Sequence, residues 1–93
     1  MLREEIGYPA MLEQTAEECT ELAQACLKLS RVLRNENPTP KPRREIFDNI
    51  YEEVADVQIC VEELNLDIER VQDWKTTKRK RMIQRLKEWR KTS

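Results

Sequence analysis

Apolar residues recur along this chain at intervals of three and four, and no segment alternates as a half-buried strand would. Leu12, Thr15, Cys19, Leu22, Cys26, Leu29 and Leu33 form one such stripe, and Phe47, Ile50, Val54, Val57, Val61 and Leu64 form another. At about 100° per residue each stripe draws a seam along one side of a helix, ready to pack on a partner. The first helix is predicted from Pro9, a residue suited to a first helical position, to about Arg34. Prolines at alternate positions, Pro38, Pro40 and Pro42, mark residues 35–42 as a loop. A second helix is expected from near Arg43 to about Leu64. Asn65-Leu66-Asp67 then breaks it, and Asp67 reads as the N-cap of a third helix reaching about Lys91. Residues 1–8 form a short arm with room for one helical turn. The predicted architecture is all-α: an antiparallel helical hairpin plus a third long helix in one domain spanning 1–93.

Composition sharpens this by exclusion. Ninety-three residues, 39% of them apolar, make a small core, so the seams are expected to assemble into a helical bundle by oligomerisation. No apolar run approaches the roughly 18 residues of a membrane span, and residues 1–10 carry three charges rather than an apolar signal core. With no histidine, the Ser-His-Asp and Cys-His nucleophile systems and the histidine-bearing zinc and di-iron motifs are excluded. A single glycine, Gly7, excludes a P-loop and a dinucleotide fingerprint. Cys19, Cys26 and Cys60 are an odd count without a CxxC pair. Cys19 and Cys26 stand two helical turns apart, roughly 10 Å along an axis and too far for a disulfide. All three read as small buried hydrophobes in a reducing compartment, and a cytoplasmic location is expected.

The net charge of −1 conceals an asymmetry: residues 1–73 hold 17 acids against 8 bases, and residues 74–93 hold 1 acid against 9 bases. A basic tail of that kind binds a polyanion or neutralises the acidic part of its own fold.

The acids are patterned. A shift of 35 residues superposes the two hairpin helices, placing Gln14 on Asn49, Glu17 on Glu52, Glu18 on Glu53 and Glu21 on Asp56. Glu18 and Glu53 sit at the edge of their stripes, and Glu21 and Asp56 lie about 60° further out on the same side. In a hairpin whose loop centres near residue 37, facing residue numbers sum to about 74, and the midpoints of Glu18/Glu21 and Glu53/Asp56 meet that sum. Two antiparallel helices would therefore bring four carboxylates to one level, where mutual repulsion raises their pKa values unless a cation intervenes. Oxygen-only ligands suit a hard divalent ion, magnesium or manganese.

Glu17-Glu18-Cys19-Thr20-Glu21 and Glu52-Glu53-Val54-Ala55-Asp56, each flanked by an apolar seam, resemble the ExxE–spacer–ExxD signature of the MazG-like all-α nucleoside triphosphate pyrophosphohydrolases. The likeness covers about residues 10–86. The spacer, residues 22–52, is slightly longer than usual for that family, with the excess in the proline-rich loop. The resemblance implies magnesium held by Glu18, Glu21, Glu53 and Asp56, and hydrolysis of a nucleoside triphosphate to monophosphate and pyrophosphate. It also implies a homodimer or homotetramer of hairpins. Glu17 or Glu18 would take the proton of the attacking water; Glu17 and Glu52 are also candidates for supporting the ligands. Gln14 and Asn49 are placed to read a base edge or order a metal-bound water, or to serve merely as caps.

The third helix carries an apolar arc of Ile68, Val71, Trp74, Met82, Leu86 and Trp89, with Lys78, Arg81 and Arg85 inside or beside it. These bases are expected either to aim at the bundle, meeting acids or phosphates, or to snorkel outward. The resemblance favours contact with the triphosphate. Trp74 and Trp89 read as core or subunit-interface residues. The rival reading of the chain is a non-catalytic helical interaction module that binds a protein or nucleic acid through its third helix. Within catalysis, phosphoribosyl-ATP and dUTP are alternative substrates; neither a membrane nor, on the hydrolase reading, nucleic acid is expected as a partner.

Overall fold

The computed structural model describes residues 2–36 and 41–92. They form four helices: α1 (Leu2–Ile6), α2 (Tyr8–Leu33), α3 (Arg43–Glu63) and α4 (Ile68–Thr92), with no strand among the described residues. No helix among them is long and apolar enough to cross a membrane. The expected loop at 35–42 falls between α2 and α3; its residues 37–40 lie outside the described residues.

The helix ends follow local chemistry. Gly7 precedes α2 at φ 88°, a conformation L side chains rarely adopt, and lets the chain turn from α1 into α2 with Pro9 in the first turn. α2 closes on Asn35 at φ 58°; Glu36 N–H donates to Arg31 O at 3.0 Å and Asn35 N–H to Val32 O at 3.1 Å. That pair of bonds is a Schellman closure, with asparagine taking the left-handed position usually given to glycine. α3 ends similarly on Asn65, φ 52°. Asp67 caps α4 as the sequence predicts, its Oδ1 accepting from Glu69 N–H at 3.0 Å and Arg70 N–H at 3.4 Å.

α2 and α3 pack as the antiparallel pair, and α1 packs on α2. The arm does more than fill space: Arg3 Nη1 donates to Glu63 O (3.2 Å), the Leu2 N–H to Glu63 Oε1 (3.3 Å) and the Tyr8 hydroxyl to Leu64 O (2.9 Å). Two of these bonds satisfy carbonyls at the C-terminal end of α3, where a nearby guanidinium also complements the helix dipole.

The seam differs from the predicted stripe. Met11, Ala25, Ile46, Cys60 and Leu64 are the buried hydrophobic residues, with Met11, Cys60 and Leu64 clustered together. Thr15, Leu22, Leu29, Ile50, Val54 and Val57 are half-buried as expected, but Leu12, Cys19, Cys26, Leu33, Phe47 and Val61 are exposed. On α2 the packed line is rotated toward Met11, Gln14, Glu18 and Ala25, because α1 and the end of α3 meet at Met11. The expectation of three buried cysteines holds for Cys60 and fails for Cys19 and Cys26, which lie on the exposed flank of α2.

α4 departs most from expectation. It makes no extensive contact with α2 or α3, Val71 is its one half-buried residue, and Trp74 and Trp89 are 55% and 64% exposed. The radius of gyration is 17.4 Å. A compact chain of this length would have about 12 Å.

Candidate metal centre

The hairpin brings its acids together in the register the numbering anticipates. Carboxylate oxygens of Glu18, Glu53 and Asp56 all lie within 4.8 Å of one another, with Glu18 and Glu53 half-buried between the helices. Glu18 and Glu53 each have one buried oxygen, Oε2, without a hydrogen-bond partner. A buried polar atom left unpaired is costly, and two on facing carboxylates add like-charge repulsion. Gln14 Nε2 donates to Glu18 Oε1 at 2.9 Å, from one turn upstream, while Oε2 has no partner.

Glu21 completes the group electrostatically while standing in solvent. The Glu18 carboxylate beside it pushes its pKa up and shares a hydrogen bond with it, and Glu53 and Asp56 add to the effect. Glu53 is pushed up as well, by desolvation first, then by the charges of Asp56, Glu18 and Glu52. Both shifts say that the ionised site lacks positive charge. A divalent cation would supply it, and carboxylate oxygens are donors of the kind that magnesium and manganese take.

The remaining predicted residues are placed unevenly. Asn49 is half-buried on α3; Glu17 and Glu52 face solvent on the outer sides of their helices. A groove of about 350 Å³ runs beside the acids, bounded by Leu2, Ile6, Met11 and Ile59 and also lined by Glu18 and Asp56. Its α1 wall was not anticipated from the sequence; the Leu2–Ile6 spacing on a five-residue helix was the available signal.

Lys78, Arg81 and Arg85 are not at this site. The expectation that they aim at the bundle fails within a single chain, because α4 leaves the hairpin after Asp67 and its bases stand exposed. Trp74 and Trp89 are likewise absent from any core of the single chain. Comparison of the chain with protein-family models, curated proteins and solved structures finds no match.

Proposed function

We propose that the protein is a divalent-metal-dependent hydrolase of a nucleoside triphosphate, releasing pyrophosphate and the monophosphate. The observation that carries this reading is the convergence of Glu18, Glu53 and Asp56 around two buried, unpartnered carboxylate oxygens, with Glu21 beside them. Those four residues would hold the ion. Bound magnesium would polarise the phosphoryl group and acidify an attacking water. Gln14 restrains Glu18 by its hydrogen bond, so the ligand set is oriented before an ion arrives. Glu17, next to Glu18 and exposed, is available to accept the water's proton, as is Glu18 itself. The apolar groove offers space beside the acids for the uncharged part of a nucleotide. The gathering of the acids supports the metal site, and the nucleoside triphosphate substrate and its point of cleavage come from the resemblance of the two acidic strings to the MazG-like family.

The test is pyrophosphate release from canonical and modified nucleoside triphosphates, with dUTP and phosphoribosyl-ATP in the panel, in magnesium and in chelator. Magnesium-dependent release from at least one substrate is expected. Absence of both release and calorimetric ion binding would remove the assignment.

One observation favours a second reading, a non-catalytic interaction module: α4 is exposed everywhere but Val71, and residues 74–93 carry nine bases against one acid. That reading requires metal-independent binding of a polyanion or acidic protein, and for nucleic acid a steep loss of affinity with salt.

A further inference from the structure

The attachment of α1 to the fold is slight. A helix of five residues does not sustain itself in water, so α1 persists only where it is docked. Its link to α2 is Gly7, at φ 88°, and nothing beyond its chain neighbours lies within 4 Å of where a side chain there would begin. On α3 it is pinned at one residue. The Leu2 N–H donates to Glu63 Oε1 at 3.3 Å, and Arg3 Nη1 donates to the Glu63 carbonyl at 3.2 Å. That pin carries a penalty of its own, because Glu63 Oε2 is buried without a hydrogen-bond partner. Leu2 and Ile6 stay about half exposed in the docked position.

This slightly held segment is nevertheless a wall of the site. Leu2 and Ile6 line the groove of about 350 Å³ that Glu18 and Asp56 also line, and α2 and α3 supply the rest of its surface. With α1 undocked the groove becomes an open valley between two helices, and Met11, fully buried in the docked fold, meets water. A ligand seated in the groove covers apolar surface on Leu2 and Ile6 that the empty groove leaves wet. Docking of α1 and occupation of the groove therefore favour each other, and by linkage each strengthens the other by the same factor.

We infer that α1 is a strap: it swings about Gly7 to admit a ligand to the groove and is drawn back over it, with Arg3 and Glu63 as positioning residues that set the closed state. The ligand it closes on has an apolar body beside an anionic group. That choice of ligand rests on the hydrolase reading, whereas the slight attachment of α1 and its place in the groove wall do not. Arg3 and Glu63 are outside the groove lining, so they govern how tightly the ligand is held and leave the chemical step alone.

The experiment follows amide hydrogen exchange in the full chain by NMR, with kinetics beside it. The Gly7 N–H, bonded to Arg3 O at 2.9 Å, reports on α1, and the amide of the buried Ala25 reports on the middle of α2. In the free protein Gly7 is expected to be about a hundredfold less protected than Ala25. Magnesium with an α,β-methylene nucleoside triphosphate, which cannot be cleaved at that bridge, is expected to slow exchange at Gly7 by about tenfold. Arg3→Ala/Glu63→Ala is expected to raise KM for pyrophosphate release by about tenfold with kcat within about twofold, and to leave helical circular dichroism and Ala25 protection unchanged. A merely structural role would lower kcat or Ala25 protection instead. Three outcomes overturn the proposal: equal protection of Gly7 and Ala25 in the free protein, an analogue bound by calorimetry that leaves Gly7 unchanged, or a wild-type KM in the double variant. Each of these spares the hydrolase reading. If no triphosphate is cleaved and no analogue binds, that reading falls, and the strap falls with it for want of a ligand.

Discussion

α2 and α4 are nearly the same length, 26 and 25 residues, and both carry an apolar arc interrupted by charge. α2 packs one side against α3 and α1, burying Met11 and Ala25 and half-burying Leu22 and Leu29; α4 buries almost nothing within the chain. The difference lies in what each helix has within reach. α2 is followed by a proline-rich connection and a helix of matching register, and the N-terminal arm locks the far end by three hydrogen bonds to Glu63 and Leu64. α4 follows α3 after a few residues and leaves in another direction, so its amphipathic pattern finds no cover on α2 or α3. Amphipathicity in a sequence states that a face needs a partner and is silent about which molecule provides it.

The largest effect expected on this contrast is at the carboxylates. Glu53→Gln keeps the side-chain volume and removes one charge from the acid cluster; on the proposed hydrolase reading it should lower pyrophosphate release by about a hundredfold or more, with helical content unchanged. Wild-type turnover in that variant would show that the gathered acids are not the working site.

Next is a pair of equal truncations in the two regions. Met11 is fully buried in the hairpin and Met82 is 62% exposed on α4. Met11→Ala should cost about 2–5 kcal/mol in chemical denaturation. Met82→Ala should leave the stability of the chain within about 0.5 kcal/mol. Equal losses of chain stability at both positions would mean that α4 packs within its own chain.

Asp67→Ala should cost about 1 kcal/mol, read by thermal unfolding, because the carboxylate accepts two backbone N–H groups at the start of α4. A change at this boundary, rather than within either helix, tests how firmly α4 depends on its own start signal.

The smallest effect is a pH dependence. In the folded chain Glu21 and Glu53 titrate above their ordinary value of 4.5, so the folded state holds more protons than the unfolded chain between that value and the raised one. Stability from these groups is therefore greatest below 4.5, falls as pH rises through the window, and stays lower above it. In chelator, Tm of the wild type should drop more between about pH 4.5 and pH 7 than Tm of Glu53→Gln. Magnesium added at neutral pH should raise the wild-type Tm and leave the variant unmoved.

Much of the fold is legible before any coordinates. Pro9, the alternating prolines, Asn65 and Asp67 place the helix boundaries within a residue or two, because each residue acts through its own backbone. The acids are legible too, since hairpin register is arithmetic once the loop is located. What the pattern misassigns is the packed line on α2. Cys19, Cys26 and Leu12 continue an apolar stripe as well as Met11, Leu22 and Ala25 do, and the choice between them is made by α1 and the end of α3. The position of Lys78, Arg81 and Arg85 is illegible for a related reason: periodicity orients them around α4 and carries no information on where α4 goes.

The joint between α3 and α4 has a mechanical consequence. Tyr8 holds the Leu64 carbonyl in place, and the next residue, Asn65, occupies a left-handed conformation at φ 52° from which a rigid helix of 25 residues extends. Such a helix is a lever about 38 Å long. A backbone rotation of about 10° at its fulcrum carries the Trp89 end through roughly 6 Å, about the span of one turn. A single asparagine therefore sets the reach of the whole basic arm.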